Sequence, residues 1–173
     1  MCGRFINLTK VNFFKKKFDI NSPISKDLIS FNISPSQVSF IIFKKKEIEL
    51  DFAKWGYSFF DNNTNQQKNV INSRIETIRD KLIFKESYLQ RKCILPINGY
   101  YEWSLIQNKK IPFFINIPPS EPMYLACIWK YVNINENNDK VFTIITKKAN
   151  NKLIDIHNRM PVVLSIEESI NYL

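Results

Sequence analysis

Short apolar segments rich in β-branched and aromatic residues dominate the second half of the chain. Four of them follow one another, at residues 93–105, 111–117, 123–132 and 140–146. Runs of this kind, bounded by polar and turn-forming residues, are typical of β-strands. Because few of the connections between them are long enough for crossover helices, the strands should pair mainly antiparallel, which predicts an α+β fold.

A helix is predicted near the N-terminus. Residues 9–18 place Val11, Phe14 and Phe18 on one helical face, as expected for a helix that covers a core. Thr9 stands where an N-cap would, because its hydroxyl could accept a hydrogen bond from the first turn.

The remaining elements are predicted from their local patterns. VSFIIF and EIELDFA flank a lysine-rich turn and predict a hairpin, because apolar and acidic residues alternate in the second run. Ser165 and Glu168 have the spacing of a capping box. Residues 31–37 are predicted to be irregular, and residues 59–69 to form a polar loop. A helix is predicted at 74–92. Within 151–165 we predict a short helix that breaks before Pro161 and passes into a strand.

The composition predicts one folded domain over residues 1–173, with 45% hydrophobic residues available for a core. The three cysteines, Cys2, Cys93 and Cys127, are too few and too scattered for a disulfide framework or a zinc site. The latter two lie in apolar runs and are expected in the core. The chain has no N-terminal signal segment and no run of membrane-spanning length, so we expect a cytoplasmic protein without a membrane partner.

The chain is strongly basic. It carries 25 Lys and Arg against 16 Asp and Glu, a net charge of +9. A polyanionic partner follows naturally from this charge, with nucleic acid ahead of a membrane. Charge alone leaves open a second interpretation, in which a lysine-rich composition simply solvates the surface.

The sequence opens MCGRF, and the position of Cys2 is unusual for a structural cysteine, because terminal residues are poorly packed. If Met1 were removed, Cys2 would carry a free α-amine beside its thiol. Such a 1,2-aminothiol can react in a way that no internal residue can.

Four other polar positions are candidates for chemistry. His157 is the only histidine, which excludes multi-histidine metal sites, although a lone histidine is more often structural. Asn72 and Arg74 are two residues apart and would share a face of an extended segment; the alternative is a helix cap and a surface charge. Glu102 lies between aromatic residues, where burying an acid is costly unless the acid is paired or functional. The alternative is that its side chain faces outward to solvent.

Taken in order, MCGRF, FNISPSQ, WGY, INSRIET, PINGYYEW, TIIT and IHNRMPVVL resemble the motifs of the SOS-response-associated peptidase (SRAP) family. The resemblance runs from residue 2 to about residue 165. It implies a compact, β-rich, barrel-like core with peripheral helices and a basic DNA channel. It also implies a monomer without cofactor or metal that senses abasic sites in single-stranded DNA, and is nucleoid-associated when bound.

The resemblance also implies roles for individual residues. The reactive group would be Cys2, which links covalently to the abasic site, with Asn72, Glu102 and His157 around it. Glu102 would move protons at the terminal amine, Asn72 would hold that amine, and His157 would serve the sugar oxygen. The residues implied to face DNA are Arg4, Pro35, Phe60, Arg74, Trp103, Thr146 and Arg159.

The chain departs from the family pattern in two places. After WGY the family tends to carry a proline and a tryptophan, whereas this chain has SFFDNN, so Phe59 or Phe60 would replace that aromatic residue. Family members usually continue past Leu173 with another strand, so we expect the usual C-terminal strand to be missing and a sheet edge to be exposed.

Two other functions remain open from the sequence. An N-terminal cysteine with a histidine and a glutamate resembles a thiol hydrolase, whose self-processing would expose Cys2. The chain could also be a non-covalent single-strand-binding module in which Cys2 is incidental. A Cys2→Ser variant separates these, because a binding module would keep its affinity.

Overall fold

The computed structural model describes residues 2–61, 64–117, 122–134 and 137–173. Within these residues the helices are α1 Val11–Lys17, α2 Leu82–Gln90 and α3 Ile166–Tyr172. The strands are β1 Arg4–Asn7, β2 Ser30–Ile33, β3 Val38–Lys44, β4 Ile48–Trp55, β5 Tyr57–Asp61, β6 Gln66–Val70, β7 Asn72–Arg74, β8 Lys92–Ile97, β9 Gly99–Ile106, β10 Lys109–Ile115, β11 Met123–Ile134, β12 Asn137–Lys148, β13 Arg159–Pro161 and β14 Val163–Leu164.

Five of these strands close into a barrel. Their order is β12-β4-β3-β8-β11, and β11 pairs with β12 to complete the ring. Only the β12–β4 pair is parallel; the other neighbours in the ring are antiparallel. Closure pairs the backbone N–H and C=O groups that the edge strands of an open sheet would leave without hydrogen bonds. This architecture confirms the predicted α+β fold with a mainly antiparallel, barrel-like core and peripheral helices.

The C-terminal end of β12 holds two short strands that bring distant parts of the chain together. β7 pairs with it in parallel, and β13 pairs with it antiparallel. Thr146 takes part in both pairings, opposite Arg74 of β7 and Pro161 of β13. Residues more than 80 positions apart in the sequence therefore lie on either side of one strand.

A second sheet, in the order β10-β9-β1-β2, packs beside the barrel. Its inner residues join the barrel interior, where the ring of Phe5 lies 5.0 Å from that of Trp55. The indole Nε1 of Trp55 donates a hydrogen bond to the carbonyl of Ile71, at 3.0 Å, just before β7. Cys93 and Cys127 are fully buried in the same cluster, which confirms their prediction as core residues.

Several local predictions are confirmed. β3 and β4 form the predicted hairpin, in register from Val38 opposite Lys54 to Lys44 opposite Ile48. α3 begins at the predicted capping box, in which the backbone amide of Glu168 donates to Ser165 Oγ at 3.1 Å.

The first helix starts differently from the prediction. α1 has Val11 and Phe14 buried as expected, but its N-cap is Lys10 rather than Thr9. The backbone amide of Val11 instead donates to the Asp27 carboxylate at 2.8 Å, so a residue 16 positions away satisfies the first turn.

Three sequence-based assignments are wrong, and strand pairing accounts for two of them. Residues 59–69 were predicted as a polar loop, but most belong to the β5–β6 hairpin, which an ion pair between Lys68 and Asp61 supports; residues 62 and 63 lie outside the described part. The predicted helix at 74–92 is shortened to α2, because pairing with β12 holds β7 extended.

The third wrong assignment is the short helix predicted within 151–165. Residues 151–156 form turns instead, with the amides of Leu153 and Ile154 both donating to the carbonyl of Asn150. The irregular stretch at 31–37 is partly ordered as the end of β2 before a turn at Pro35. Among the described residues, no helix has the length and apolar character to cross a membrane.

Candidate active site and nucleic-acid interface

Cys2 lies at the entrance to β1 and is fully buried. Burial raises the pKa of its thiol above the ordinary value, and the neighbouring Glu102 carboxylate raises it further. The sulfur is therefore protonated at neutral pH. The Glu102 carboxylate and the Cys2 thiol therefore influence each other electrostatically.

Glu102 lies in β9 and is only 4% exposed. Side chains alternate between the two faces of a strand, so Glu102 points inward while Tyr101 and Trp103 point to the other face. Burial raises the pKa of neighbouring Tyr100, and the charges of Cys2 and Glu102 add to this effect. These three titratable groups form one buried cluster at the mouth of the core.

Asn72 connects this cluster to β7. Its side-chain Nδ2 donates to the Cys2 carbonyl at 2.9 Å. Its Oδ1 is buried and accepts no hydrogen bond from the part of the chain that the structure describes. A buried amide oxygen is costly to leave unpaired, so this atom can receive a donor placed near Cys2.

An open cleft of about 560 Å³ lies beyond β7. Its lining combines three cationic side chains with a histidine, an isoleucine and two small or polar residues: Arg74, Lys148, Ala149, Ile154, His157, Asn158 and Arg159. Arg74 and Lys148 are exposed there. Asn72 and Arg74, two residues apart on β7, thus connect the buried cluster with a basic cleft, as their spacing predicts.

The ring of His157 has a defined orientation. The backbone amide of Arg159 donates to His157 Nδ1 at 2.9 Å. Because an amide can only donate, Nδ1 is the acceptor, and the neutral imidazole carries its proton on Nε2. This tautomer presents a hydrogen-bond donor on the far side of the ring.

The guanidinium of Arg159 is held within the protein. It makes a bidentate pair with Glu76, at 2.8 and 2.9 Å, and its Nη2 also donates to the Thr146 carbonyl at 2.7 Å. The hydrogen bond from Arg159 lowers the pKa of Glu76 to about 2. A depressed carboxyl pKa adds stability above the ordinary value near 4.5, and that stability is lost as the pH falls towards 2.

Thr146 was expected to face DNA, but it is fully buried. Its hydroxyl donates to the Ser73 carbonyl at 3.0 Å and lies 3.2 Å from Arg159 Nη2. The hydroxyl therefore joins β7, β12 and β13 and orients Arg159 rather than forming part of a binding surface.

The remaining expected DNA-facing residues lie elsewhere. Arg4 and Trp103 line a cleft on the outer face of the second sheet. Pro35 lies in the turn whose Ser36 amide donates to the Trp55 carbonyl at 2.7 Å. Phe60 is 55% exposed on the β5–β6 hairpin. The structure thus brings Cys2, Asn72 and Glu102 into one cluster and His157, Arg74 and Arg159 into the adjoining cleft.

Sequence reasoning missed three members of the site. Glu76 follows Arg74 by two residues but looked like a helical surface charge. Lys148 ends a strand as one of two adjacent lysines. Tyr100 precedes Glu102 in the GYYEW motif, which gave the one usable signal. Among the described residues, no group of three or more His, Cys, Asp or Glu side chains is arranged to hold a metal ion.

The chain is similar to several known proteins. The family model "SOS response associated peptidase (SRAP)" matches residues 1–173. Abasic site processing protein YoqW of Bacillus subtilis is 32% identical over 179 residues, covering 100% of this chain and 80% of that protein. Abasic site processing protein YedK of Escherichia coli is 29% identical, covering 96% and 77%. A crystal structure of a Bacteroides thetaiotaomicron protein shares the fold, with a TM-score of 0.84 at 22% identity over 99% of this chain and 81% of that one.

Proposed function

Because this chain belongs to the SOS response associated peptidase (SRAP) family, we propose that it processes abasic sites in single-stranded DNA and links to them covalently through Cys2 after removal of Met1. The names of its relatives support the first part, since they are abasic site processing proteins. The chemistry of the Cys2 cluster supports the second.

The proposed reaction uses both functional groups of an N-terminal cysteine. An abasic deoxyribose exists partly as an open-chain aldehyde. The α-amine of Cys2 adds to this carbonyl carbon and water leaves, which gives an imine. The thiol then adds to the same carbon and its proton passes to the nitrogen, which closes a five-membered thiazolidine. The sum is a condensation that releases one water and needs no oxidant, reductant or cofactor.

The observation that carries this proposal is the burial of Cys2, which is hydrogen-bonded to Asn72 and lies within the electrostatic influence of the buried Glu102. Near pH 7.4 an ordinary α-amine is roughly a fifth to a third neutral, so a nearby base would increase the reactive fraction. Glu102 would accept that proton and return it to the departing water. Asn72, whose Nδ2 already holds the Cys2 carbonyl, offers its buried Oδ1 to the amine.

His157 would assist the sugar rather than the amine. Its Nε2 proton, fixed by the bond between the Arg159 amide and Nδ1, is suited to donate to the ring oxygen as the closed sugar opens. Holding aldehyde, amine and thiol together supplies the effective concentration that makes a slow condensation fast. In this proposal Glu76 and Thr146 are positioning residues, because they orient Arg159.

A thiol peptidase is a poorer fit to the same site. Thiol hydrolases attack with a thiolate, whose formation requires a lowered thiol pKa. Here burial and the Glu102 charge raise the pKa of Cys2. Ring closure onto an imine does not require a thiolate beforehand, because the sulfur can attack while its proton passes to the nitrogen.

The direct test is an adduct assay. The protein is incubated with single-stranded oligonucleotides that are intact or carry one abasic site, and the products are separated under denaturing conditions. We expect a denaturation-resistant adduct with the abasic strand alone. Intact-mass analysis should place the linked protein at the mass of the chain without Met1, plus DNA, minus one water. An adduct on protein that fully retains Met1 would refute the mechanism.

Arg74 provides a test of the DNA channel. Neutralised phosphates release counterions, so the logarithm of affinity falls linearly with the logarithm of salt concentration. We expect Arg74→Gln to weaken binding to every sequence and to flatten that slope by about one unit. Lys46→Gln is the matched control, since it removes one exposed charge from the β3–β4 turn, outside the cleft. Equal slopes for the two variants would argue against a phosphate contact at Arg74.

A further inference from the structure

We propose that the hydroxyl of Tyr100 is a further catalytic group, which donates a hydrogen bond to the aldehyde oxygen while the amine of Cys2 adds to the aldehyde carbon. The inference rests on the proposed function for the identity of the substrate as an aldehyde. It assigns a role to the member of the buried cluster that the reaction above leaves unused. Addition of an amine to a carbonyl moves negative charge onto the oxygen, where a fixed hydrogen-bond donor is most effective.

Strand periodicity directs Tyr100 to the reactive side of β9. Tyr100 and Glu102 are two residues apart on this strand, so their side chains project to the same face. Both are buried, whereas Tyr101 between them is partly exposed. Tyr100 and Cys2 also belong to the same core cluster. The phenol therefore shares its surroundings with the two groups between which the aldehyde must react.

Two apolar neighbours hold the ring of Tyr100 from either side. Tyr100 is directly opposite Phe5 of β1 and Ile115 of β10. Directly opposed residues of antiparallel strands project to the same face and pack against each other. Phe5 is fully buried, and Ile115 packs against the same core cluster. The ring is thus oriented before any substrate arrives, as a preorganised donor requires.

The hydroxyl of Tyr100 is suited to donate rather than to accept a proton. Burial has the largest effect on its pKa and raises it, and the neighbouring Cys2 and Glu102 raise it further. Among the described residues, no hydrogen bond lowers this pKa. A phenol whose pKa is raised stays protonated from pH 6 to 9. Such a hydroxyl gains a hydrogen-bond acceptor when a carbonyl oxygen enters the cluster.

The proposed step divides the work between Tyr100 and Glu102. The nitrogen of Cys2 forms a bond to the aldehyde carbon, the carbonyl π bond breaks, and its electron pair moves to the oxygen. Tyr100 donates a hydrogen bond to that oxygen and keeps its own proton. Glu102 transfers the two nitrogen protons to the same oxygen, which leaves as water. Because a sugar aldehyde and a small aldehyde present the same oxygen, Tyr100 should act on both, unlike His157.

Tyr100→Phe tests this role, because it removes the hydroxyl and keeps the ring. Rates of adduct formation are measured from pH 6 to 9 with an abasic single strand, by denaturing electrophoresis, and with glycolaldehyde, an open-chain aldehyde, by intact mass. We expect capture to slow by about 10²-fold, near the lower end of the effect of losing one donor to a developing oxyanion. The slowing should be equal for both aldehydes and constant with pH. The deficit of Glu102→Gln, by contrast, should shrink as the pH rises.

Tyr57→Phe is the matched control. Tyr57 is another buried tyrosine, but its hydroxyl lies 2.6 Å from Ser87 Oγ in a separate cluster that includes Phe84 of α2. We expect this variant to capture aldehydes at the wild-type rate in its folded fraction.

A binding measurement separates catalysis from affinity. Fluorescence anisotropy gives the affinity of each variant for a strand with a central tetrahydrofuran, a stable abasic analogue that forms no aldehyde. Tyr100→Phe should bind this strand with unchanged affinity, because the hydroxyl has no carbonyl oxygen to contact.

A wild-type rate for Tyr100→Phe, or an equal loss of rate in Tyr57→Phe, would overturn the assignment. So would a loss of tetrahydrofuran affinity that matches the loss of rate, or a deficit that disappears at high pH, which would link the hydroxyl to the amine instead. The proposed function fails by a different result, the absence of an adduct between the wild-type protein and an abasic strand. A condensation with glycolaldehyde that depends on Tyr100 would then still support the role of its hydroxyl.

Discussion

Replacing Cys2 with alanine will abolish the denaturation-resistant adduct with abasic DNA. The alanine variant keeps an α-amine and can form an imine, but it has no sulfur to close the ring, and an imine hydrolyses when the protein unfolds. Borohydride reduction before denaturation should therefore recover an adduct from Cys2→Ala. Denaturing electrophoresis with and without borohydride measures both the loss of the stable adduct and its recovery by reduction.

Cys93 supplies the matched control. It is a second fully buried thiol in the same core cluster, so Cys93→Ala also removes a buried sulfur from the barrel. We expect Cys93→Ala to form the adduct without reductant, at a yield limited only by its folded fraction. An adduct from Cys2→Ala that survives denaturation without reductant would place the covalent bond on another residue.

Replacing Glu102 with glutamine should slow adduct formation by about 10²-fold, the usual effect of losing one general acid–base catalyst. The side chain keeps its shape and cannot accept the amine proton. The deficit should shrink as the pH rises past about 8, where an ordinary α-amine loses its proton unaided. Rates of adduct formation for both proteins from pH 6 to 9 measure this convergence.

His157→Ala distinguishes the two proposed proton carriers. His157 is assigned to opening the closed sugar, so its loss should slow capture of an abasic site and have little effect on a simple open-chain aldehyde. Glu102→Gln should slow both reactions. If the two variants behave alike across pH and across both aldehydes, Glu102 and His157 form a shared structural network around the terminus instead.

Local pattern was a good guide to two elements, although it missed the β5–β6 hairpin, whose second strand reads QQKNV and lacks apolar alternation. The β3–β4 hairpin and the Ser165 capping box depend on residues close in sequence, and both are present. The alternation in GYYEWS also separates the inward Glu102 from the outward aromatic residues, because strand periodicity fixes faces once a strand exists.

Local pattern could not reveal structure that another part of the chain imposes. Residues 74–81 have a helical composition, but Arg74 pairs with β12 as the end of β7, and the residues from 75 to 80 form turns. The pairing of Arg159 with Glu76 could not be predicted from local pattern, because the two residues are 83 positions apart. The buried state of Thr146 likewise follows from strands that meet on both sides of it.

The pairing of β12 with β7 and β13 also bears on when the protein becomes reactive. Contacts between residues far apart in sequence carry a loop-closure cost and tend to form late in folding. The bond between Asn72 and Cys2 spans 70 positions, and the Arg159–Glu76 pair spans 83. An unfolded or partly folded chain therefore has the aminothiol without its surrounding groups, and we expect fast aldehyde capture to appear together with the last cooperative step of folding. Long-range topology would in this way tie fast, directed capture by the aminothiol to the presence of the folded binding surface.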